Sequence, residues 1–165
     1  IGGYYNSFNT SGHDYNNYKR GTELDYLWGA YASLNFSKDW NLLANYERVN
    51  YNSNINSTVR GDEDSATVWI GRLTYGKAVM ATPKTWDAWV EYINAEDGAF
   101  IGGSTNSWRF GQMDNIESWG AGIDYTFAKN AQFQVMQSFA SKLKDSNSDS
   151  KDPEEQTRAQ FVFAF

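Results

Sequence analysis

The chain has 165 residues, 17% of them aromatic, no cysteine and a formal net charge of -6 at pH 7. That length suits one domain with a core; the missing cysteines exclude disulfides and thiolate metal sites, and the acidic balance argues against nucleic acid as a partner. Rings are abundant although Leu, Ile and Val are sparse, and no stretch approaches the roughly 20 consecutive apolar residues that a membrane helix needs.

The opening "IGGYYNSF" carries neither an initiator Met nor a charged-then-apolar leader, which predicts a removed signal peptide or an internal start. From there two-residue alternation predicts eight strands, near residues 1–8, 22–36, 40–50, 65–76, 85–95, 117–127, 131–141 and 156–165. In "TELDYLWGAYASLNF" the apolar set Thr22, Leu24, Tyr26, Trp28, Ala30, Ala32, Leu34 and Phe36 alternates with Glu23, Asp25, Gly29, Ser33 and Asn35. In "SWGAGIDYTF" Trp119, Ala121, Ile123, Tyr125 and Phe127 oppose the small and polar Ser118, Gly120, Gly122, Asp124 and Thr126. The final strand sets Thr157, Ala159, Phe161, Phe163 and Phe165 against Arg158, Gln160, Val162 and Ala164. Register is least regular in "AQFQVMQSFAS", where Gln137 shares a face with Phe133, Val135 and Phe139, a face suited to contact with protein.

Connections alternate strictly between short and long. "SKD", "GKAVMATPKT" and "AKN" are short, whereas "NTSGHDYNNYKRG", "YNSNINSTVRGDED", "EDGAFIGGSTNSWRFGQMDNI" and "KLKDSNSDSKDPEEQ" are long and polar. An outer-membrane barrel has that asymmetry, with short periplasmic turns and long extracellular loops. Phe36, Trp40, Tyr75, Trp86, Phe127, Phe133 and Phe165 cluster by the short turns, which predicts an aromatic girdle at the periplasmic interface. An unpaired strand edge in hydrocarbon is costly, so a spanning sheet must close. Pro83 and Pro153 fall in connections, where they remove no ladder hydrogen bond.

Three segments invite a chemical reading. His13, the sole histidine, sits beside Asp14 in a polar loop; a hydrolase would need it shielded and placed against a serine, so a solvated loop histidine is the better expectation. Asp145, Asn147 and Asp149 are spaced like the start of a calcium loop, but the glycine of the sixth position is missing and Gln156 stands where a bidentate acid is required. "RGDED" at residues 60–64 contains an adhesion tripeptide that chance supplies readily in exposed loops. No catalytic residue, metal or cofactor is therefore expected. "AFIGGSTNSWRFG" is too apolar for a solvated loop: either it packs on itself, or it folds into a lumen or against a neighbouring subunit and presents Arg109 to a channel.

In "DAWVEYINAEDGAFIGGSTNSWRF", "SWGAGIDYTFAKNAQFQVMQSF" and "TRAQFVFAF" the chain resembles the C-terminal barrel of outer-membrane porins that carry an N-terminal S-layer homology domain, found in bacteria of Firmicutes ancestry with an outer membrane. The resemblance covers residues 85–165 well and the earlier part more loosely. It implies a trimeric, water-filled barrel of roughly 16 strands, of which this chain would supply the C-terminal part. No S-layer homology domain or stalk occurs in these residues. A terminal Phe after alternating aromatics is also similar to the signal read by the barrel-assembly machinery, which would make Phe165 its recognition point.

The alternation assigns Glu23, Asp25, Glu47, Asp87, Glu91 and Asp124 to a lumen together with Arg72 and Arg158. Six acids against two bases predict mild cation selectivity, unless these charges pair across strands in a filled interior. The sequence thus predicts an all-β antiparallel transmembrane barrel acting as a porin for ions and small polar solutes, surrounded by outer-membrane lipid. The rival expectations are a complete eight-stranded barrel displaying loops for adhesion or protein binding, and a soluble β-sandwich binding sugars through its aromatics.

Overall fold

The computed structural model describes residues 1–8, 24–51, 64–100, 115–144 and 151–165. These residues form β1 (Gly2–Ser7), β2 (Leu24–Asn35), β3 (Trp40–Tyr51), β4 (Ser65–Gly76), β5 (Trp86–Ala95), β6 (Ile116–Ala128), β7 (Ala131–Leu143) and β8 (Thr157–Phe163), and no helix. Every predicted strand is found. Each pairs antiparallel with the next in one sheet of order β1 to β8. Among the described residues, strands pair and make substantial contact only with their sequence neighbours, so no second sheet packs on this one and the β-sandwich expectation fails. Among the described residues β1 pairs only with β2 and β8 only with β7, which leaves the sheet open. The expectation of a complete eight-stranded barrel is therefore corrected: the strand number is right, and closure is not met.

The short turns follow from their residues. Between β2 and β3, Ser37 Oγ accepts from the Asp39 and Trp40 amides, each at 3.2 Å, and so fixes the reversal. β6 and β7 join through Lys129 and Asn130, and Asn130 takes φ 61°, a left-handed conformation that asparagine tolerates well. Residues 77–85 make a larger turn around Thr85. Its hydroxyl accepts from Val79 N at 2.9 Å and donates to Thr82 O at 2.7 Å. That turn also bonds the neighbouring hairpin, through Lys84 N to Thr126 O and Asn130 N to Met80 O, both 2.7 Å.

Directly opposed residues of an antiparallel pair share a face, so the register defines two surfaces. One is aromatic. A first row runs along the short-turn end, where ring centroids lie 6.1 Å apart for Phe36 and Trp40, 4.9 Å for Trp40 and Tyr75, and 5.8 Å for Tyr75 and Trp86. It continues by register through Tyr125 and Phe133 to Phe161, with Phe127 edge-on to Phe161 and Phe163. The predicted girdle positions Phe36, Trp40, Tyr75, Trp86, Phe127 and Phe133 all belong to it, and Phe165 lies exposed just past β8.

A second row, which the sequence reading does not contain, crosses the same face nearer the long connections. It comprises Trp28, Tyr46, Trp69, Tyr92, Trp119 and Phe139, with Trp28 and Tyr46 5.2 Å, Trp69 and Tyr92 4.9 Å, and Tyr92 and Trp119 4.8 Å apart. From β3 to β7 the two rows are always six residues apart: Trp40 and Tyr46, Trp69 and Tyr75, Trp86 and Tyr92, Trp119 and Tyr125, Phe133 and Phe139. Six residues span about 20 Å of extended strand. Between the rows stand small or aliphatic residues such as Ala32, Ala44, Leu42, Leu73, Val90 and Ile123. Gln137 and Thr157, hydrogen-bonded to each other, are the polar pair in that band.

Candidate functional site

The opposite surface is polar over most of its area, and its geometry centres on β4, β5 and β6. Register places Glu47, Arg72, Asp87, Glu91, Asp124 and Arg158 on it, as the alternation predicts. Arg72 and Glu91 are directly opposed, and two guanidinium nitrogens converge on Glu91 Oε2, Nη2 at 2.8 Å and Nε at 3.0 Å. Glu91 is 3% exposed and Arg72 33%. The guanidinium also lies 4.2 Å above the Trp89 ring, within cation–π range. Beneath that ring is Gly122, its cross-strand partner, where a Cβ would overlap the indole. Arg72, Trp89 and Gly122 thus form a three-layer stack with Met136 packed beside Trp89.

One step toward the short turns, Asp87 and Asp124 face each other across β5 and β6. Asp87 Oδ2 accepts from Ala78 N at 2.9 Å, so this carboxylate also holds the 77–85 turn. The same ladder continues through Gln134 and Gln160, and Gln134 donates to Gln132 at 2.9 Å. Glu47 accepts from the Tyr4 hydroxyl, and Tyr4 lies across Gly29, its opposite residue on β2.

Two expectations for this face need correction. The register shifts at Asp25, between Leu24 and Tyr26, so Leu24 falls on the face of Glu47 and leaves the apolar set that alternation gives this strand. Glu23 and Arg109 lie outside the described residues, as do His13, Asp145, Asn147, Asp149 and most of "RGDED". Of the charges assigned to this face by alternation, the register places Glu47, Asp87, Glu91, Asp124, Arg72 and Arg158 there, and the Arg72–Glu91 pair cancels one acid and one base.

The second correction concerns polarity. Near the long connections this face is apolar: Ala66, Val68, Ile70, Ile93 and Ala95 cluster there, all buried. Residues 96–100 fold over them. Ala99 is fully buried in the cluster, and Phe100 and Tyr51 pack against it. Glu96 and Thr67 exchange bonds, Glu96 N to Thr67 O at 3.0 Å and Thr67 N to Glu96 Oε2 at 2.7 Å, and the Tyr51 hydroxyl donates to Gly98 O. Ala99 and Phe100, the first two residues of "AFIGGSTNSWRFG", pack on this cluster, and the rest of that segment, on which its two expected fates turn, lies outside the described residues. The missed signal is in "ATVWIGRL", where Val68 and Ile70 interleave with Trp69 and Leu73, so both faces are apolar, as in a strand covered on both sides.

The acidic connection before β8 binds the sheet itself. Glu155 accepts from Ser141 N, Ser141 Oγ and Ser138 Oγ at 2.8–2.9 Å, and Asp152 accepts from Leu143 N at 3.1 Å. Ser118, Ser138 and Ser141 are buried around that carboxylate, with no histidine near them among the described residues. No group of metal-ligating side chains occurs among the described residues either. No protein-family model matches the chain, and the comparison with curated proteins gave no match.

Proposed function

We propose that this chain forms part of the wall of an outer-membrane diffusion pore, a porin passing ions and small polar solutes without covalent chemistry. The observation that carries the proposal is the pair of aromatic rows at constant spacing on one face of a single-layer sheet whose other face bears charges. In water such a face would be a large exposed apolar patch, with Trp28, Trp40, Trp69, Trp86 and Trp119 each 38–46% exposed. In a bilayer the two rows lie at the two interfaces and the aliphatic band meets hydrocarbon. A strand tilt of about 40° turns the spacing into roughly 15 Å of depth between ring attachment points, and the rings extend the band at each end.

In this reading the open edges of β1 and β8 pair with further strands, because hydrocarbon does not tolerate unpaired ladder groups. That favours a share in a larger barrel over a closed eight-stranded one. Membership of the S-layer homology porin family, a homotrimeric assembly, and engagement of the barrel-assembly machinery through Phe165 belong to the same proposal. The polar face is then the lumen wall, where Glu47, Asp87 and Asp124 give a mild preference for cations and residues 96–100 narrow the passage from the long-connection end.

The test is conductance of the detergent-purified natural protein in a planar bilayer under a salt gradient. Stable ohmic steps with a cation-leaning reversal potential are expected. Electrical silence from protein shown to be inserted would overturn the pore.

A further inference from the structure

Beyond the second aromatic row the outward face turns polar within two residues, and one cation there stands apart. Arg48 on β3 lies two positions past Tyr46, opposite Trp28 on β2 and Thr67 on β4. Its Nη2 donates to Ser65 Oγ at 3.0 Å and its Nε reaches Asn50 Oδ1 at 3.4 Å. A guanidinium has five N–H donors, so most of its capacity is not used by these two bonds. It forms no ion pair among the described residues. The acids of the same rim are committed elsewhere: Glu96 to Thr67 N and Lys144, Glu117 to the Tyr92 hydroxyl. Asn50, 9% exposed, is fixed in place, so its Oδ1 and Ser65 Oγ hold the guanidinium at the rim.

We infer that Arg48, held in position by Asn50 and Ser65, binds the phosphate of a membrane lipid in the leaflet at the long-connection end. This rests on the membrane reading above. A half-buried guanidinium at the edge of hydrocarbon calls for an anionic acceptor, and phosphate fits its planar fork. The neighbouring rings supply the rest of the seat. Tyr46 and Trp69 lie about 7 Å toward the membrane along their strands, where a lipid held by its phosphate at Arg48 places the start of its acyl chains, and Trp28 stands directly beside Arg48 on β2. The charge and the rings together select a phosphorylated lipid over a free anion, which gains nothing from the aromatic row.

The natural protein in detergent is titrated with phosphatidic acid, with diacylglycerol as the phosphate-free control, and bound lipid is counted by native mass spectrometry. Arg48→Gln is expected to weaken phosphatidic acid binding at least about tenfold, the loss of a charge-assisted bond to a phosphate, and to leave diacylglycerol binding unchanged. Arg48→Lys retains part of the affinity. Equal binding by wild type and Arg48→Gln overturns the site. Displacement by equimolar inorganic phosphate overturns the lipid as occupant. Co-flotation of the same proteins with phosphatidylcholine vesicles separates the two levels: wild type that fails to float refutes the membrane reading, whereas variants that float normally but bind phosphatidic acid unchanged refute only the site.

Discussion

Replacing Glu91 by Gln probes stability and permeation at one position. A carboxylate 3% exposed is removed from a pair in which two guanidinium nitrogens meet one oxygen at 2.8 and 3.0 Å. Breaking a fully buried pair costs about 3–5 kcal/mol. Arg72 is one-third exposed and remains stacked on Trp89, so the cost of Glu91→Gln falls to about 2 kcal/mol. Arg72→Gln costs more, because it removes both guanidinium bonds from the better buried member. The double variant loses less than the sum, with a coupling of about 1.5–3 kcal/mol read from urea midpoints of the detergent-folded protein. In the proposed pore, permeation moves with it: Glu91→Gln leaves one more positive charge on the polar face, and the bilayer reversal potential is expected to shift toward anions. Additive losses would refute the pairing as an energetic unit. A loss of stability with an unchanged reversal potential would show that this face does not border the ion path.

Gly122→Ala pushes a methyl into the Trp89 indole and unseats the Arg72 stack; a loss of about 1–3 kcal/mol is expected, with changed Trp fluorescence, and an unchanged emission spectrum would contradict the stack. Tyr51→Phe deletes the hydroxyl that holds Gly98, which costs about 1 kcal/mol and loosens residues 96–100, so single-channel conductance rises; a lower conductance would count against those residues as a constriction. Asp124→Asn removes one carboxylate of the facing pair, and the reversal potential is expected to move toward anions with little change in stability; no movement would place the pair away from the ion path.

The strands and their faces were legible because alternation of period two survives wherever one side is apolar and the other polar. Trp119 to Tyr125 and Thr157 to Phe163 could be read directly for that reason, and the register bears them out. Where the two sides cease to differ, the signal fades. Val68 and Ile70 on β4 look no more inward than Trp69, and only residues 96–100 packed upon them reveal which side is covered. A bulge also defeats alternation, since one inserted residue reverses every face beyond it, and the register of β2 shifts in this way at Asp25. The second aromatic row escaped notice for a different reason. Tyr46, Trp69 and Tyr92 are scattered along the chain, and only cross-strand register aligns them. Charge pairing is likewise a property of register: Arg72 and Glu91 are 19 positions apart and meet because the 77–85 turn fixes where β5 returns.

The placement of rings on the polar face bears on whether a lumen is filled or open. A small closed barrel fills its interior with large side chains standing off the wall. Here three of the aromatics on that face are each opposed by a glycine, Tyr4 by Gly29, Tyr31 by Gly2 and Trp89 by Gly122. In each pair the ring occupies the volume that the partner's Cβ would take. A ring lying across its neighbour's backbone covers the ladder and thins the wall, as in the pairing of aromatics with strand glycines that stabilises designed sheets. Arg72 closes the outer surface of Trp89, so the exposed layer at that point is a guanidinium rather than an indole. A sugar would find no bare aromatic platform there, whereas a hydrated ion would meet charge. The arrangement therefore fits the proposed pore wall, thin and polar toward water, and it separates this face from the opposite one, where the rings stand exposed in rows.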